Sequence, residues 1–125
     1  MQKLLLLTLV TTMLFTSCKK DKDPSLEGKW NLEYTTINTY VDNVLDEVET
    51  IPGEGTTFDF QTNGQVAIFQ DGVTETSPYT IKDSNVEIAG EIAEIRNLTA
   101  SSVTLYLKDI ESPGLYSEVL LNLKR

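Results

Sequence analysis

The sequence contains no histidine, one cysteine and one tryptophan in 125 residues. Histidine is the side chain that most often acts as a general base or metal ligand near neutral pH. A single cysteine excludes an intramolecular disulfide. The chain also lacks a glycine-rich phosphate loop, a nucleophile elbow and the ligand spacing of a zinc site. We therefore expect a protein that is not an enzyme and that needs no metal or cofactor.

Positive charge is scarce as well. Lysine and arginine together number 10, against 19 aspartate and glutamate residues, and the formal net charge is −9. A surface of this sign repels phosphate backbones, so we expect no nucleic acid among the partners. Solubility accounts for such acidity without a special role. An acidic binding face is the alternative.

One long apolar run occurs, and it lies at the start of the chain. Residues 4–15 are apolar apart from threonines, and Lys3 precedes them. The run is shorter than the roughly 20 residues that a membrane-spanning helix needs. Positive charge, an apolar stretch and small residues follow one another in the order typical of a signal peptide. We predict a signal peptide over residues 1–17.

The only cysteine, Cys18, stands directly after this segment. Residues 15–18, Phe-Thr-Ser-Cys, resemble the lipobox of bacterial lipoproteins. The resemblance implies cleavage before Cys18, acyl chains such as palmitate on that residue, and a lipid anchor in a membrane. Two acyl chains hold a protein stably, because each buried methylene contributes about 0.8 kcal/mol. An ordinary secretory signal followed by an unused thiol is the alternative.

Residues 18–25 form a short charged segment that ends in Pro24 and Ser25. This composition predicts a solvated, flexible tether between the lipid and the folded domain. Lys19 stands where inner-membrane lipoproteins commonly carry aspartate. The resemblance therefore implies the outer membrane, on its periplasmic face or at the cell surface.

Residues 26–125 are enough for one domain with a modest core. Apolar and polar residues alternate in several short segments, and glycine- or asparagine-containing turns such as Asn63-Gly64 separate them. This pattern predicts about eight short antiparallel strands in a barrel or a sandwich. Residues 41–48 fit either a hairpin that turns at Asp42-Asn43 or a helix face, and the neighbouring strands favour the hairpin. Gly90 suggests a bulge or a corner.

Gly28-Lys29-Trp30, at the start of the first strand, matches the G-x-W motif of lipocalins. The segment from Phe58 and Phe60 to Asn63-Gly64, and residues 95–99 before the strand at Val103, are similar to small lipocalin-like lipoproteins of the Bacteroidota type. The resemblance implies a small antiparallel up-and-down β-barrel. It also implies that an arginine or lysine at the end of the chain packs on Trp30.

The lipocalin resemblance implies a binding module for a small apolar or amphipathic ligand. We predict that five side chains line its pocket: Trp30, Phe58, Phe60, Tyr79 and Leu105. They belong to a larger set that the alternation places on the inner face, completed by Leu32, Tyr34, Val66, Ile68, Ile81, Val86, Ile88, Val103, Leu107, Val119, Leu121 and Leu123.

The bulk of this inner set leads to an alternative. Side chains of this size can fill an eight-stranded barrel without a ligand. Trp30 would then be a plug at one end of the barrel rather than the floor of a cavity. The protein would be a non-catalytic interaction subunit of a cell-envelope complex.

Overall fold

A computed structural model of the chain describes residues 24–125, which contain nine β-strands and no helix. The predicted signal peptide, Cys18 and the first part of the tether lie outside the described residues. Within residues 24–125 there is no helix of the length and hydropathy that a membrane span requires. The strands are β1 (Gly28–Val41), β2 (Val44–Pro52), β3 (Thr57–Phe60), β4 (Gln65–Gln70), β5 (Val73–Lys82), β6 (Asn85–Ile88), β7 (Glu91–Arg96), β8 (Ser102–Ser112) and β9 (Leu115–Lys124).

Eight of the strands close into an antiparallel barrel. From β3 to β9 each strand pairs with the next, and β1 pairs with both β3 and β9. This confirms the predicted fold class, a small antiparallel barrel. The ninth strand, β2, pairs with β1 alone among the described strands.

The two halves of β1 have different neighbours. Residues 28–31 pair with β3, whereas residues 34–41 pair with β2. The second half of β1 therefore continues beyond the barrel, together with β2 and the adjoining halves of β8 and β9. We call this four-stranded extension the arm. It comprises β2, residues 34–41 of β1, residues 107–112 of β8 and residues 115–121 of β9.

A β-bulge marks the point where the arm begins. Leu32 pairs with Leu123 and Tyr34 pairs with Asn122, so Glu33 is an extra residue in β1. A one-residue insertion moves every later side chain to the opposite face. The prediction that Tyr34 faces the interior is therefore wrong: its side chain is 39% exposed. Ile81 pairs with the buried Val86 and so lies on the inner face as predicted, but it is 46% exposed near the end of β5.

The turns follow their local sequence. Asp42 and Asn43 have φ angles of 52° and 63°, and two successive residues with positive φ are typical of a type I′ hairpin turn. The hairpin prediction for residues 41–48 is thus confirmed. Ala89 (φ 50°) and Gly90 (φ 86°) form a similar turn between β6 and β7, which replaces the predicted bulge or corner.

The core lies in the closed part of the barrel, near the end where β1 starts. Leu26 and Ala93 belong to it although the alternating pattern did not include them. Its buried apolar residues are Leu26, Trp30, Phe58, Phe60, Val66, Val86, Ala93, Val103, Leu105 and Leu123.

Candidate functional site

Trp30 closes one end of the barrel, which we call the floor. Its side chain is fully buried, and its indole nitrogen donates a hydrogen bond of 2.8 Å to the carbonyl oxygen of Leu26. The guanidinium of Arg125 lies 3.9 Å from the centre of the Trp30 ring. The contact between Trp30 and a basic residue at the end of the chain, which the lipocalin resemblance implied, is therefore present and involves Arg125.

The same contact explains the glycine of the G-x-W sequence. Gly28 has a φ of 112°, a conformation that other residues rarely adopt. A β-carbon at this position would lie 2.9 Å from Nη1 of Arg125. Arg125 also donates hydrogen bonds to the carbonyl oxygens of Glu27, Ser25 and Ala100. Gly28 thus leaves room for the arginine that ties the two ends of the domain together.

The five predicted ligand-binding residues lie in and around the core. Trp30, Phe58, Phe60 and Leu105 are each 8% exposed or less. Tyr79 packs against this cluster, with its ring edge-on to Phe60 at a centroid distance of 5.1 Å. The structure therefore brings all five residues together. Their role in ligand binding stays a prediction.

Tyr79 differs from the other four because it keeps a polar group. Its hydroxyl donates a hydrogen bond of 2.7 Å to the carbonyl oxygen of Gln61. Burial raises the pKa of Tyr79 above its usual value, and the nearby Glu27 carboxylate adds to this effect. The hydroxyl is neutral at physiological pH and is occupied by a main-chain partner.

An open groove lies at the other end of the barrel, which we call the mouth. β7 pairs with β8 only through residues 104–106, so the rest of β8 has no strand on that side among residues 24–125. The gap is a groove of about 550 Å³. The residues that line it are Glu91, Ile92, Leu107, Lys108, Asp109, Val119 and Leu121.

The groove combines an apolar base with a charged rim. Leu107 pairs with Val119, and Leu105 pairs with Leu121, so these side chains continue the inner face of the barrel onto the arm. Ile92 contributes an apolar side chain that is 61% exposed. Charged groups of both signs border the groove. The alternating pattern placed Leu107, Val119 and Leu121 on the inner face, but it gave no sign that they lie in an open groove.

A cluster of tyrosines surrounds one carboxylate on the outer surface where the arm joins the barrel. The hydroxyl of Tyr106 donates a short hydrogen bond to Oε2 of Glu118. This bond lowers the pKa of Glu118 and raises the pKa of Tyr106 to about 12. The proximity of Glu118 also raises the pKa of Tyr40. Glu118 is thus held as a carboxylate between two neutral tyrosines.

Stacking completes this cluster. The rings of Tyr40 and Tyr116 lie parallel, with centroids 4.6 Å apart. Nζ of Lys108 lies 4.3 Å from the centre of the Tyr116 ring, and the guanidinium of Arg96 lies 3.6 Å from the centre of the Tyr106 ring. No pattern in the sequence indicates the cluster, because its members come from separate strands and alternate with the apolar residues of the inner face.

Apolar side chains are also exposed on the arm. Val44 is 66% exposed, Val48 57% and Ile110 64%, and Val41, Leu45 and Ile51 are each exposed by more than 40%. Five of them lie on the hairpin of β1 and β2, with Leu45 and Val48 on one face and Val41, Val44 and Ile51 on the other, whereas Ile110 lies on β8 at the other edge of the arm. Clustered exposed apolar residues of this kind mark interaction surfaces.

No group of three or more acidic, cysteine or histidine side chains that could hold a metal ion occurs within residues 24–125. Comparison of the chain with protein-family models, with curated proteins and with solved structures found no match.

Proposed function

We propose that this chain is the precursor of a lipocalin-like, membrane-anchored lipoprotein that binds a small apolar or amphipathic ligand at the mouth of its barrel. The observation that carries the proposal is the groove of about 550 Å³ beside β8. Pockets for small molecules span about 300–1,000 Å³ and combine apolar walls with a few polar groups. The groove has this size and this mixture of side chains.

The packing of the interior supports the mouth as the place of binding. Trp30, Phe60 and Leu105 are at most 1% exposed and lie in one core cluster. A ligand among them would have to displace close-packed side chains, which is costly. At the mouth, Leu107 and Leu121 pack against the same core but remain partly exposed.

The position of the tether supports a mouth that faces away from the membrane. The described chain starts at Pro24 next to the floor, where Arg125 bonds to Ser25. Cys18 lies six residues before Pro24, and an extended segment of that length reaches at most about 20 Å. Lys19, the residue after Cys18, favours the outer membrane. A lipid on Cys18 would hold the floor near that bilayer.

The groove is tested with residues 19–125 and the neutral, environment-sensitive dye N-phenyl-1-naphthylamine. We expect its fluorescence to rise on binding and the Ile92→Glu substitution to abolish the rise. Ile92 is 61% exposed, so a carboxylate there leaves the core intact. Ile110→Glu is the matched control because Ile110 is equally apolar, is 64% exposed and does not line the groove. No dye binding, or equal loss in both variants, would refute the groove as a ligand site.

A second candidate function is that of a non-catalytic interaction subunit in a cell-envelope complex. The exposed apolar residues of the arm favour it, because water-exposed apolar clusters are stabilised by a partner surface. Residue-specific crosslinking tests it: a photo-reactive residue in place of Val44 should crosslink to an envelope protein in cells. The same residue in place of Thr80, on the barrel wall, should not.

A further inference from the structure

β2 has a free edge. It pairs with β1 along one side, and no strand among residues 24–125 pairs with its other side. All nine of its residues are exposed. An exposed strand edge presents unpaired N–H and C=O groups, and another extended chain can add to it through main-chain hydrogen bonds.

In the central part of β2 the side chains sort by chemistry onto its two faces, while Val44 and Ile51, nearer its ends, lie on the same face as the glutamates. Leu45 pairs with Tyr40 and Val48 with Asn38, so both lie on the outer face of the arm. Their side chains are 48% and 57% exposed. Glu47 and Glu49 pair with Thr39 and Ile37 on the opposite face. The central part of the edge is therefore apolar on one face and acidic on the other.

This pattern disfavours a second copy of the chain as the neighbour of β2. A twofold antiparallel pairing centred on Glu47 places Glu47 opposite itself. A centre on Val48 places Glu47 opposite Glu49, and a centre on Glu49 places Glu49 opposite itself. Like charges directly opposite one another destabilise a strand pair. The formal net charge of −9 adds to the repulsion between copies.

We propose that β2 binds an extended segment of a partner protein in which basic and apolar residues alternate. Its lysine or arginine side chains would lie beside Glu47 and Glu49, and its apolar side chains beside Leu45 and Val48. Opposite charges and apolar pairs across strands each contribute about 0.2–1 kcal/mol, in addition to the main-chain hydrogen bonds. The proposal rests on the interaction function, the second candidate above. It is independent of ligand binding in the groove, which borders β8 at the other edge of the arm.

The probe is a synthetic peptide of about seven residues, a typical strand length, that alternates lysine and valine. The full chain in a mild non-ionic detergent is titrated with this peptide, and hydrogen–deuterium exchange is followed. We expect slower exchange of the amides of β2 that are not bonded to β1. Reversing both charges, Glu47→Lys with Glu49→Lys, should weaken binding by about tenfold or more. Glu75→Lys with Glu87→Lys is the matched control, because both residues are exposed on the barrel, and it should leave binding unchanged.

Two further peptides separate strand addition from simple charge attraction. A peptide with glutamate in place of lysine, and a lysine–valine peptide with every backbone amide N-methylated, should both fail to protect β2. Equal protection by the methylated peptide would overturn the proposal, because that peptide lacks the main-chain donors. Protection of β2 in the free protein that falls on dilution would overturn it in favour of a second copy. Both double-lysine variants should bind N-phenyl-1-naphthylamine normally. A failure of the peptide to bind β2 therefore does not reflect a failure of the groove.

Discussion

The guanidinium of Arg125 lies 3.9 Å above the ring of Trp30, so the last residue of the chain covers the tryptophan of the first strand. Arg125 also bonds to three carbonyl oxygens, one beyond β7 and two before β1. The floor of the barrel is therefore a joint between the two ends of the domain. Its contribution to stability can be measured separately from that of the core.

We expect Arg125→Ala to lower the free energy of unfolding by about 2 kcal/mol, because it removes a cation–π contact and charged hydrogen bonds at a partly open site. Urea denaturation provides the measurement. Lys124→Ala is the control, since the side chain of Lys124 makes, among residues 24–125, only a solvent-exposed ion pair of 3.1 Å with Glu33, and such pairs contribute less than about 1 kcal/mol. Equal losses in the two variants would show that the contact with Trp30 and the hydrogen bonds of Arg125 together contribute no more than an exposed ion pair.

Gly53→Ala should destabilise the junction between the barrel and the arm. A β-carbon on Gly53 would lie 1.8 Å from the carbonyl oxygen of Leu32, beside the bulge at Glu33. Because the obstacle is backbone, we expect a loss of about 3 kcal/mol in the free energy of unfolding. Gly90→Ala isolates the cost of positive φ, about 1 kcal/mol, since no atom lies within 4 Å of its added β-carbon. A Gly53→Ala loss no larger than that of Gly90→Ala would contradict the steric argument.

The hydrogen bond from Tyr106 to Glu118 predicts a change of stability at alkaline pH. The pKa of Tyr106 rises from 10.0 to about 12 in the folded protein, first through this bond. A raised folded-state pKa gives stability that is complete below pH 10 and is lost as the pH rises toward 12. The free-energy difference between the wild type and Tyr106→Phe should therefore shrink over this range. Tyr34→Phe, at an exposed position, is the control and should show a smaller change.

At acid pH the same bond acts through Glu118, whose pKa is lowered first by Tyr106. Its stabilisation is present above the ordinary pKa of glutamate and is lost as the pH falls through the lowered value. Tyr106→Phe should therefore also reduce the acid sensitivity of unfolding. A difference between wild type and variant that is constant at every pH would contradict the proposed hydrogen bond.

The lipoprotein proposal predicts a specific effect at Cys18. Cys18→Ser should abolish incorporation of labelled palmitate in bacterial cells, because the lipid is attached through the thiol. The variant should accumulate as unprocessed precursor or as soluble protein. Retention of the variant in the membrane fraction at the wild-type level, with no labelled lipid in the wild type, would refute the anchor.

Local chemistry determined the parts of this protein that the sequence predicts correctly. Alternation with a period of two marks strands, because successive side chains of a strand point to opposite faces. Asp42-Asn43 and Asp71-Gly72 adopt the positive φ angles that tight hairpins need. Gly28 and Trp30 match the G-x-W motif. These features depend on neighbours in the chain, so the antiparallel strands and most of their turns could be predicted from the sequence. The choice of a barrel over a sandwich came from the resemblance to lipocalins.

The tertiary structure decided where side chains face after Glu33 and which positions stay open. The bulge at Glu33 appears only in the register between β1 and β9, and it turned Tyr34 outward. The groove exists because β8 continues beyond its pairing with β7, and the free edge of β2 exists because β3 joins the other half of β1. A repeat of two residues assigns faces within a strand. It does not show where one strand extends beyond its neighbour. Here such unequal strand ends form both proposed binding surfaces, the groove beside β8 and the free edge of β2.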